Sequence, residues 1–395
     1  MCGGLIMNDN QRVNISYSAL QCVYWMNGSI LIGFLLPFLI TQGFAEMEAG
    51  LMMAVTSLFG FFLPALFSKI LEAGRIRKLA HLVMILLLFQ LMLCTAFLFF
   101  YGRGKISVAI YLLLAGVHMS MYPLYVNLAA LVMRQNYAAS FARARAFGSL
   151  GFAVMSLLMG GVMAAGDTQL ICRIINIVLV TQILLLLFLM PYETAQTVRT
   201  IERHKAKQNY GGRMSVLILL IGLAFVFSGD SATNSFRYTI LTSLGGSIAA
   251  FGTLTAFKGA MEIPVMFLYP YLRRIGSGKL LTVSVIFFFI KLVMMRRACS
   301  VATLYIAFFF QALSFGLYTP AVVDYITENV HPDHVASVRS LGSGMNCFGS
   351  FGATILTGYL LSNQSVRFSL DVLLAVEAVG LACYVFSREK IKNGS

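Results

Sequence analysis

Residues 79–101 read LAHLVMILLLFQLMLCTAFLFFY, with no Asp, Glu, Lys or Arg between Lys78 and Arg103. At 1.5 Å per residue an α-helix needs ~20 apolar residues to cross ~30 Å of hydrocarbon. The stretch therefore predicts a membrane-spanning helix bounded at each end by charge. Working outward from it, eleven further runs of this kind lie at 16–40, 47–70, 105–132, 141–165, 170–191, 215–241, 247–271, 279–297, 301–328, 340–361 and 367–387. Composition agrees: 59% of the 395 residues are hydrophobic, 11% are charged, and the mean hydropathy is +0.82. A soluble globule carries about 25% charged residues, more than twice this share. A soluble enzyme, a disordered chain and a nucleic-acid-binding protein are excluded. The fold class is an all-α membrane protein of twelve transmembrane helices.

The net charge of +14, from 29 Lys and Arg against 15 Asp and Glu, is distributed as a topology signal. With the amino terminus in the cytoplasm, nineteen basic residues fall on the cytoplasmic side, and only Arg103, Lys105, Arg296, Arg297 and Arg367 face outward. The positive-inside rule then puts both termini in the cytoplasm of a multi-pass protein of the cell membrane. One long connector, 192–214, carries Arg199, Glu202, Arg203, His204, Lys205, Lys207 and Arg213, and it separates six spans from six. The expected organisation is an N-terminal six-helix half over 1–191, a cytoplasmic linker over 192–214 and a C-terminal half over 215–395. The first run has no small-residue cleavage site after a short apolar core, so no cleavable signal is expected, and Met7 is an alternative start.

Signatures of other chemistry fail on inspection. The seven cysteines contain no Cys-x-x-Cys and fall mostly in or beside spans, as small buried apolar side chains do. Gly276-Ser277-Gly278-Lys279 has Arg273 where a phosphate loop begins with glycine and Leu280 where it needs Ser or Thr, so it reads as a turn. His331-Pro332-Asp333-His334 loses helical metal geometry to its proline. No cofactor, no metal and no enzymatic activity are expected. Any uphill movement of solute would draw on an ion gradient.

An internal repeat supports two related halves. Tyr122-Pro123-Leu124-Tyr125-Val126-Asn127 followed by Ala139-Ser140-Phe141-Ala142-Arg143 aligns with Tyr318-Thr319-Pro320-Ala321-Val322-Val323-Asp324 followed by Ala336-Ser337-Val338-Arg339, which makes Asn127 and Asp324 equivalents. Two six-helix repeats with a site at their interface is a transporter architecture.

Charges at membrane depth identify the candidate site. Asp230, Lys258, Glu262, Lys291 and Glu377 would together cost roughly 15 kcal/mol if all faced lipid. They must face protein or water. Counted from the predicted cytoplasmic ends, Asp230 lies ~22 Å deep and Lys258 ~21 Å, while Lys291 lies ~18 Å and Glu377 ~15 Å deep. Lys258 shares a helix face with Glu262, four residues on. The expected partners are therefore Asp230, Lys258 and Glu262 in one cluster and Lys291 with Glu377 in another. His118 near the middle of span four, Asn234 and Arg237 outward from Asp230, and Tyr122, Tyr125, Tyr318 and Gln311 are further candidates for a polar face. Arg237 could alternatively snorkel to the outer surface.

Phe141-Ala142-Arg143-Ala144-Arg145-Ala146-Phe147-Gly148-Ser149-Leu150-Gly151-Phe152, together with Leu244-Gly245-Gly246-Ser247 and Glu262-Ile263-Pro264-Val265-Met266, resembles the major facilitator superfamily, in particular its lactose-permease-like and nucleoside and phenylpropionate proton symporters. The resemblance in topology covers the whole chain. It implies that Arg145 hydrogen-bonds substrate, that Asn127 and Phe152 stand where those symporters place an acidic and a stacking residue, and that Ser314 and Leu317 replace the proton-handling pair of span ten. It also implies an outer scaffold of spans three, six, nine and twelve, which makes Lys291–Glu377 a structural ion pair. The proton-coupling candidates are then Asp230, Lys258 and Glu262, with Asp324 as a further carboxylate. The substrate-binding candidates are Arg145, Asn127, His118, Phe152, Tyr122, Gln311 and Asn234. Gly148, Gly151, Gly160 and Gly161 in span five and Gly342, Gly344, Gly349, Gly352 and Gly358 in span eleven suit helices that approach closely and slide.

Taken together, the sequence predicts a monomeric secondary transporter in the lipid bilayer that moves a sugar, nucleoside or aromatic acid with protons by alternating access. A proton-antiport exporter of sugars or drugs, and a non-transporting membrane sensor, are the alternatives.

Overall fold

The computed structural model describes residues 9–74, 76, 78–102, 104–133, 137–193, 213–330 and 332–393. The chain forms helices α1 (Asp9–Thr41), α2 (Glu46–Glu72), α3 (Leu79–Phe100), α4 (Lys105–Val132), α5 (Tyr137–Ala164) and α6 (Thr168–Leu189). Beyond the linker come α7 (Arg213–Ser235, continuing as Arg237–Thr242), α8 (Ile248–Leu272), α9 (Ser277–Arg297), α10 (Val301–Asn329), α11 (Pro332–Asn363) and α12 (Val366–Asn393). Ten of these are long and apolar enough to cross a membrane. The other two, α8 and α11, have 25 and 32 residues, ample for ~30 Å, and are less apolar because α8 carries Lys258 and Glu262 and α11 carries Gly, Ser and Asn. The expected linker falls largely within 194–212, and the alternative start at Met7 and residue His331 also lie outside the described residues.

The observed helices begin and end near the apolar runs except at α1, α11 and α12. There the helix starts at Asp9 rather than 16, starts at Pro332 rather than 340, and ends at Asn393 rather than 387. Hydropathy stops where hydrocarbon would stop. Helical hydrogen bonding continues into polar sequence, as residues 9–12, Asp-Asn-Gln-Arg, illustrate.

Three helices are interrupted. α1 has a π turn at Ser29–Gly33 and bends at Phe34, α7 breaks at Phe236, and α10 has a π turn at Ala312–Gly316. The breaks at Phe34 (φ −106°, ψ 13°) and Phe236 (φ −99°, ψ 18°) are the same backbone conformation. Each is followed nine residues later by a left-handed glycine, Gly43 (φ 88°) and Gly245 (φ 82°), a conformation that costs a residue with a Cβ. The next helices start at Glu46 and Ile248, so the whole corner repeats in register. Pro123 and Pro320, paired by the sequence repeat, both lie inside helices, α4 and α10.

Apolar packing divides the bundle by level. One buried core joins residues of α1–α6 to Phe236, Leu241, Phe251, Leu254, Leu304 and Phe308, all at the end of the bundle opposite the first and last described residues. At the terminus-bearing end, Leu219, Leu223, Leu281, Phe288, Ala321 and Tyr384 form a separate core within α7–α12, joined by Ala142 of α5. The two six-helix sets thus share apolar core chiefly at the opposite end. There Gly50 of α2 meets Gly358 of α11 and Gly160 of α5 meets Gly252 of α8, each pair too close for a Cβ to fit without a shift. At the terminus-bearing end, Glu193, after α6, accepts hydrogen bonds from the first backbone N–H groups of α3, Leu79 at 2.7 Å and Ala80 at 3.1 Å. These are donors that the helix itself cannot satisfy, and negative charge is favoured there.

Candidate functional site

Five charged side chains at mid-bundle, Arg145, Glu262, Lys291, Asp230 and Arg237, form one line rather than two clusters. On α5, Arg145 donates from Nη1 to Ser149, one turn on, at 3.0 Å. Its Nη2 lies 3.8 Å from Glu262 Oε2 on α8, and its guanidinium lies 4.0 Å over the ring of Trp25 on α1. Ser149 donates to Glu262 Oε2 at 2.7 Å, and Gln311 of α10 donates to Glu262 Oε1 at 3.0 Å. Lys291 of α9 donates to the other end of Gln311, Oε1, at 2.8 Å, and forms an ion pair with Asp230 of α7. Asn234 donates to Asp230 at 2.9 Å and accepts from Arg237 at 3.1 Å, and Arg237 Nε donates to Thr255 of α8 at 3.2 Å.

Helical spacing explains how this line is assembled. Arg145 and Ser149 are four apart, as are Asp230 and Asn234; Arg237 is three beyond Asn234, and Thr255 and Glu262 are seven apart, so each set occupies one face. Gln311 immediately precedes the π turn of α10, a kind of distortion that frequently marks functional positions. Arg145, Asp230, Glu262, Lys291 and Gln311 are all buried, so the hydrogen bonds between them replace solvation that each would otherwise lose.

Two expected pairings are corrected by this geometry. Lys291 does not pair with Glu377: its ion pair is with Asp230, and Glu377 of α12 packs its carboxyl against Gly229, with Oε2 lacking any hydrogen-bond partner. Asp230, Lys258 and Glu262 make no direct hydrogen bond or ion pair with one another among the described residues: Asp230 and Glu262 are connected through Lys291 and Gln311, and both act on the Lys258 charge from further away. Among the described residues Lys258 makes no ion pair, and its Nζ stands 5.8 Å from the ring of Phe152 on α5 and 5.8 Å from that of Phe315 on α10. Equal depth sets the level of a side chain and not its azimuth. Arg237 does not snorkel outward, being 2% exposed and held by Asn234 and Thr255.

The remaining candidates disperse. His118 is buried, stacks on Tyr24 with ring centroids 4.3 Å apart, and Tyr24 Oη donates to the His118 carbonyl at 3.0 Å. Tyr122 is half-buried beside Trp25 at 5.7 Å, and Phe152 is half-buried 6.4 Å from the same indole. Asn127 is exposed. Asp324, toward the terminus-bearing end of α10, pairs with Arg273 at 2.8 Å and accepts from Tyr269 at 2.9 Å, two turns beyond Glu262 along α8.

Sequence reasoning missed Trp25, Ser149, Thr255 and a neutral network in α1–α6. In that network Gln21 donates to Tyr17 at 2.6 Å, Tyr17 to the Tyr125 carbonyl at 2.7 Å, Asn27 to Gln182 at 3.0 Å, and Gln182 to Tyr125. Trp25 was marked as the only tryptophan of the chain, and Ser149 by its place one turn after Arg145. Among the described residues no group of three His, Cys, Asp or Glu could hold a metal ion.

A helical bundle of this topology, with repeated corners and a buried polar line between its two sets of helices, defines a major facilitator transporter. The family model described as MFS_1 like family matches residues 15–371, and the chain belongs to that family. It is 25% identical over 257 residues to the uncharacterized transporter YwbF of Bacillus subtilis (strain 168), an alignment spanning 63% of each chain. It is 24% identical over 277 residues to the maltose permease of Geobacillus stearothermophilus, across 67% of each. The chain thus spans less than two thirds of YwbF in that alignment. A solved structure of a variant of the nucleoside transporter NupG superposes with a TM-score of 0.73 at 14% identity, covering 95% of this chain and 99% of that one, which is a likeness of fold. These relatives are transporters, not enzymes.

Proposed function

We propose that the protein is a proton-coupled symporter that takes up a small solute by alternating access, with Glu262 and Asp230 carrying the coupling proton. The observation that carries this reading is the buried line Arg145–Ser149–Glu262–Gln311–Lys291–Asp230, in which Glu262 accepts from both sets of helices. Relative rotation of the two sets would change the contact between α5 and α8. Glu262 would then lose Ser149 and the nearby Arg145 charge together, and a buried carboxylate deprived of donor and cation binds a proton instead. Asp230 pairs with Lys291 inside α7–α12 and is linked to this change through Gln311, which joins Lys291 to Glu262. The basic loops favour a cytoplasmic terminus-bearing end, and the shared apolar core at the opposite end supports a conformation closed to the outside. The solutes of two of the similar proteins, maltose and a nucleoside, support a small polar cargo held between the two halves.

Glu262→Gln in proteoliposomes is the direct test. The amide keeps an acceptor for Ser149 or Gln311 and cannot ionise. Gradient-driven accumulation should disappear while exchange between equal concentrations persists. Accumulation at the wild-type level in both Glu262→Gln and Asp230→Asn would remove these carboxylates from coupling.

A further inference from the structure

Lys258 is a cation at mid-bundle that no carboxylate among the described residues engages in an ion pair. Among the described residues, the charged side chains at this level are Arg145, Arg237, Lys258 and Lys291 against Asp230, Glu262 and Glu377. Arg145 lies beside Glu262, Lys291 pairs with Asp230, and Arg237 is tied through Asn234 to Asp230. Lys258 feels the charges of Glu262 and Asp230 from beyond ion-pair distance, and the groups its Nζ faces are the rings of Phe152 and Phe315, each 5.8 Å away. Such contacts contribute modestly, and less than a desolvated ammonium forfeits. The site carries one positive charge more than it can pair internally.

The surroundings of this lysine come from both sets of helices. Phe152 belongs to α5 and Phe315 to α10, and both are half-buried, as are Lys258 and Trp25. Trp25 lies 6.4 Å from Phe152, its indole N–H has no acceptor, and Arg145 covers one face. Arg145 is itself 6.0 Å from the Phe315 ring. An ammonium, an orphan indole donor and three partly open aromatic rings converge where helices of the two halves face one another.

We infer that the transported solute is a small organic anion, with its carboxylate on Lys258 and its apolar body among Trp25, Phe152 and Phe315. The inference rests on the transport reading above and adds the charge of the cargo. It also fits the proton balance: a proton bound at Glu262 or Asp230 raises the positive excess, and an anion offsets it, so proton and solute favour each other's binding. A neutral sugar or nucleoside would leave Lys258 uncompensated.

The test uses the full chain, purified and reconstituted, with benzoate and hexanoate against their neutral isosteres benzamide and hexanamide, and with maltose and uridine. Binding is read as a shift in thermal unfolding, and coupling as solute-driven proton entry reported by a pH dye in the vesicle lumen. The carboxylates should bind at least about tenfold more tightly than the amides, the scale of one charge-assisted contact. Lys258→Gln should erase that ratio and still fold, since it removes an unpaired charge, while Lys258→Arg should retain it. Carboxylates no better than amides, no carboxylate binding at millimolar concentration, or a ratio unchanged in Lys258→Gln would each overturn the inference. If maltose or uridine moves protons and the anions do not, the transport reading stands and the anion inference falls. Anions that bind through Lys258 without moving protons would leave the inference standing and remove the coupling.

Discussion

Gly160 of α5 and Gly252 of α8 meet backbone to backbone, so close that a Cβ on Gly160 would stand 2.7 Å from the Cα of Gly252. Gly50 of α2 and Gly358 of α11 make the corresponding contact, with a Cβ on Gly50 3.1 Å from the Cα of Gly358. Both pairs lie at the end where one apolar core joins the two sets of helices. Small residues permit this approach, and a larger one forbids it.

The first prediction is that Gly160→Val shifts the transporter toward a conformation open at that end. Overpacking a close contact costs about 1–3 kcal/mol, enough to change a conformational ratio by about fivefold to a hundredfold. Phe251, 1% exposed and edge-on to Phe34 at 5.0 Å, supplies a reporter. In a cysteine-free background, alkylation of Phe251→Cys should speed up several-fold when Gly160→Val is added. An unchanged rate would mean that the glycine contact is only static packing.

Asp230 and Lys291 form a buried pair, so removing one partner is worse than removing both. Asp230→Asn alone strands an ammonium and should destabilise by about 3–5 kcal/mol. Adding Lys291→Met should recover most of the loss, and the double variant should still fail to accumulate solute. Melting curves of the two single variants and the double, measured in detergent, check the first part. Additive losses would show that the two side chains act independently.

The membrane fold was legible because apolar runs of spanning length have few alternative explanations, as at residues 79–101. The repeat around Pro123 and Pro320 was legible for the same reason that it formed: both prolines punctuate equivalent helices. What could not be read was azimuth. Counting along the spans puts Lys258 and Asp230 at one depth, yet Gln311 and Lys291 intervene between Asp230 and Glu262, beside a π turn after Gln311 for which residues 312–316 carry no recognisable code. Trp25 was invisible as a partner because its role depends on α1 crossing α5, a long-range contact that no local pattern encodes.

Arg145 and Trp25 provide a prediction about side-chain shape. The planar guanidinium stacks 4.0 Å over the indole and also donates to Ser149. Arg145→Lys keeps the charge and loses the plane and the fork. Solute affinity should fall about tenfold, while Trp25→Phe, which keeps a weaker ring, should fall less. Equilibrium binding to the purified variants decides, and undiminished affinity in Arg145→Lys would reduce that residue to an anchor between α5 and α8.

Topology can be checked with a native residue. Cys299 is exposed in the turn between α9 and α10, which the positive-inside rule places outside the cell. A membrane-impermeant maleimide applied to intact cells should label Cys299 and leave a cysteine introduced at 192–214 unlabelled until the membrane is opened. Reversed labelling would invert the assignment of cytoplasmic and outer ends, and with it the direction of uptake.

Gln311 joins the two carboxylates of the line, donating to Glu262 at 3.0 Å and accepting from Lys291 at 2.8 Å. It has no charge to titrate, so any effect of its removal on coupling must come from connection. Gln311→Leu leaves Glu262 with one donor fewer and Lys291 with Asp230 alone, at a cost of about 1–3 kcal/mol for buried groups left unsatisfied. Gln311→Glu restores an acceptor for Lys291 but replaces the donor to Glu262 with a like charge. The expected order for protons moved per solute is wild type, then Gln311→Leu, then Gln311→Glu, with solute exchange falling much less steeply in both variants. A proton-to-solute ratio that stays at the wild-type value in Gln311→Leu would show that Glu262 and Asp230 load independently, and that the amide between them only fills space.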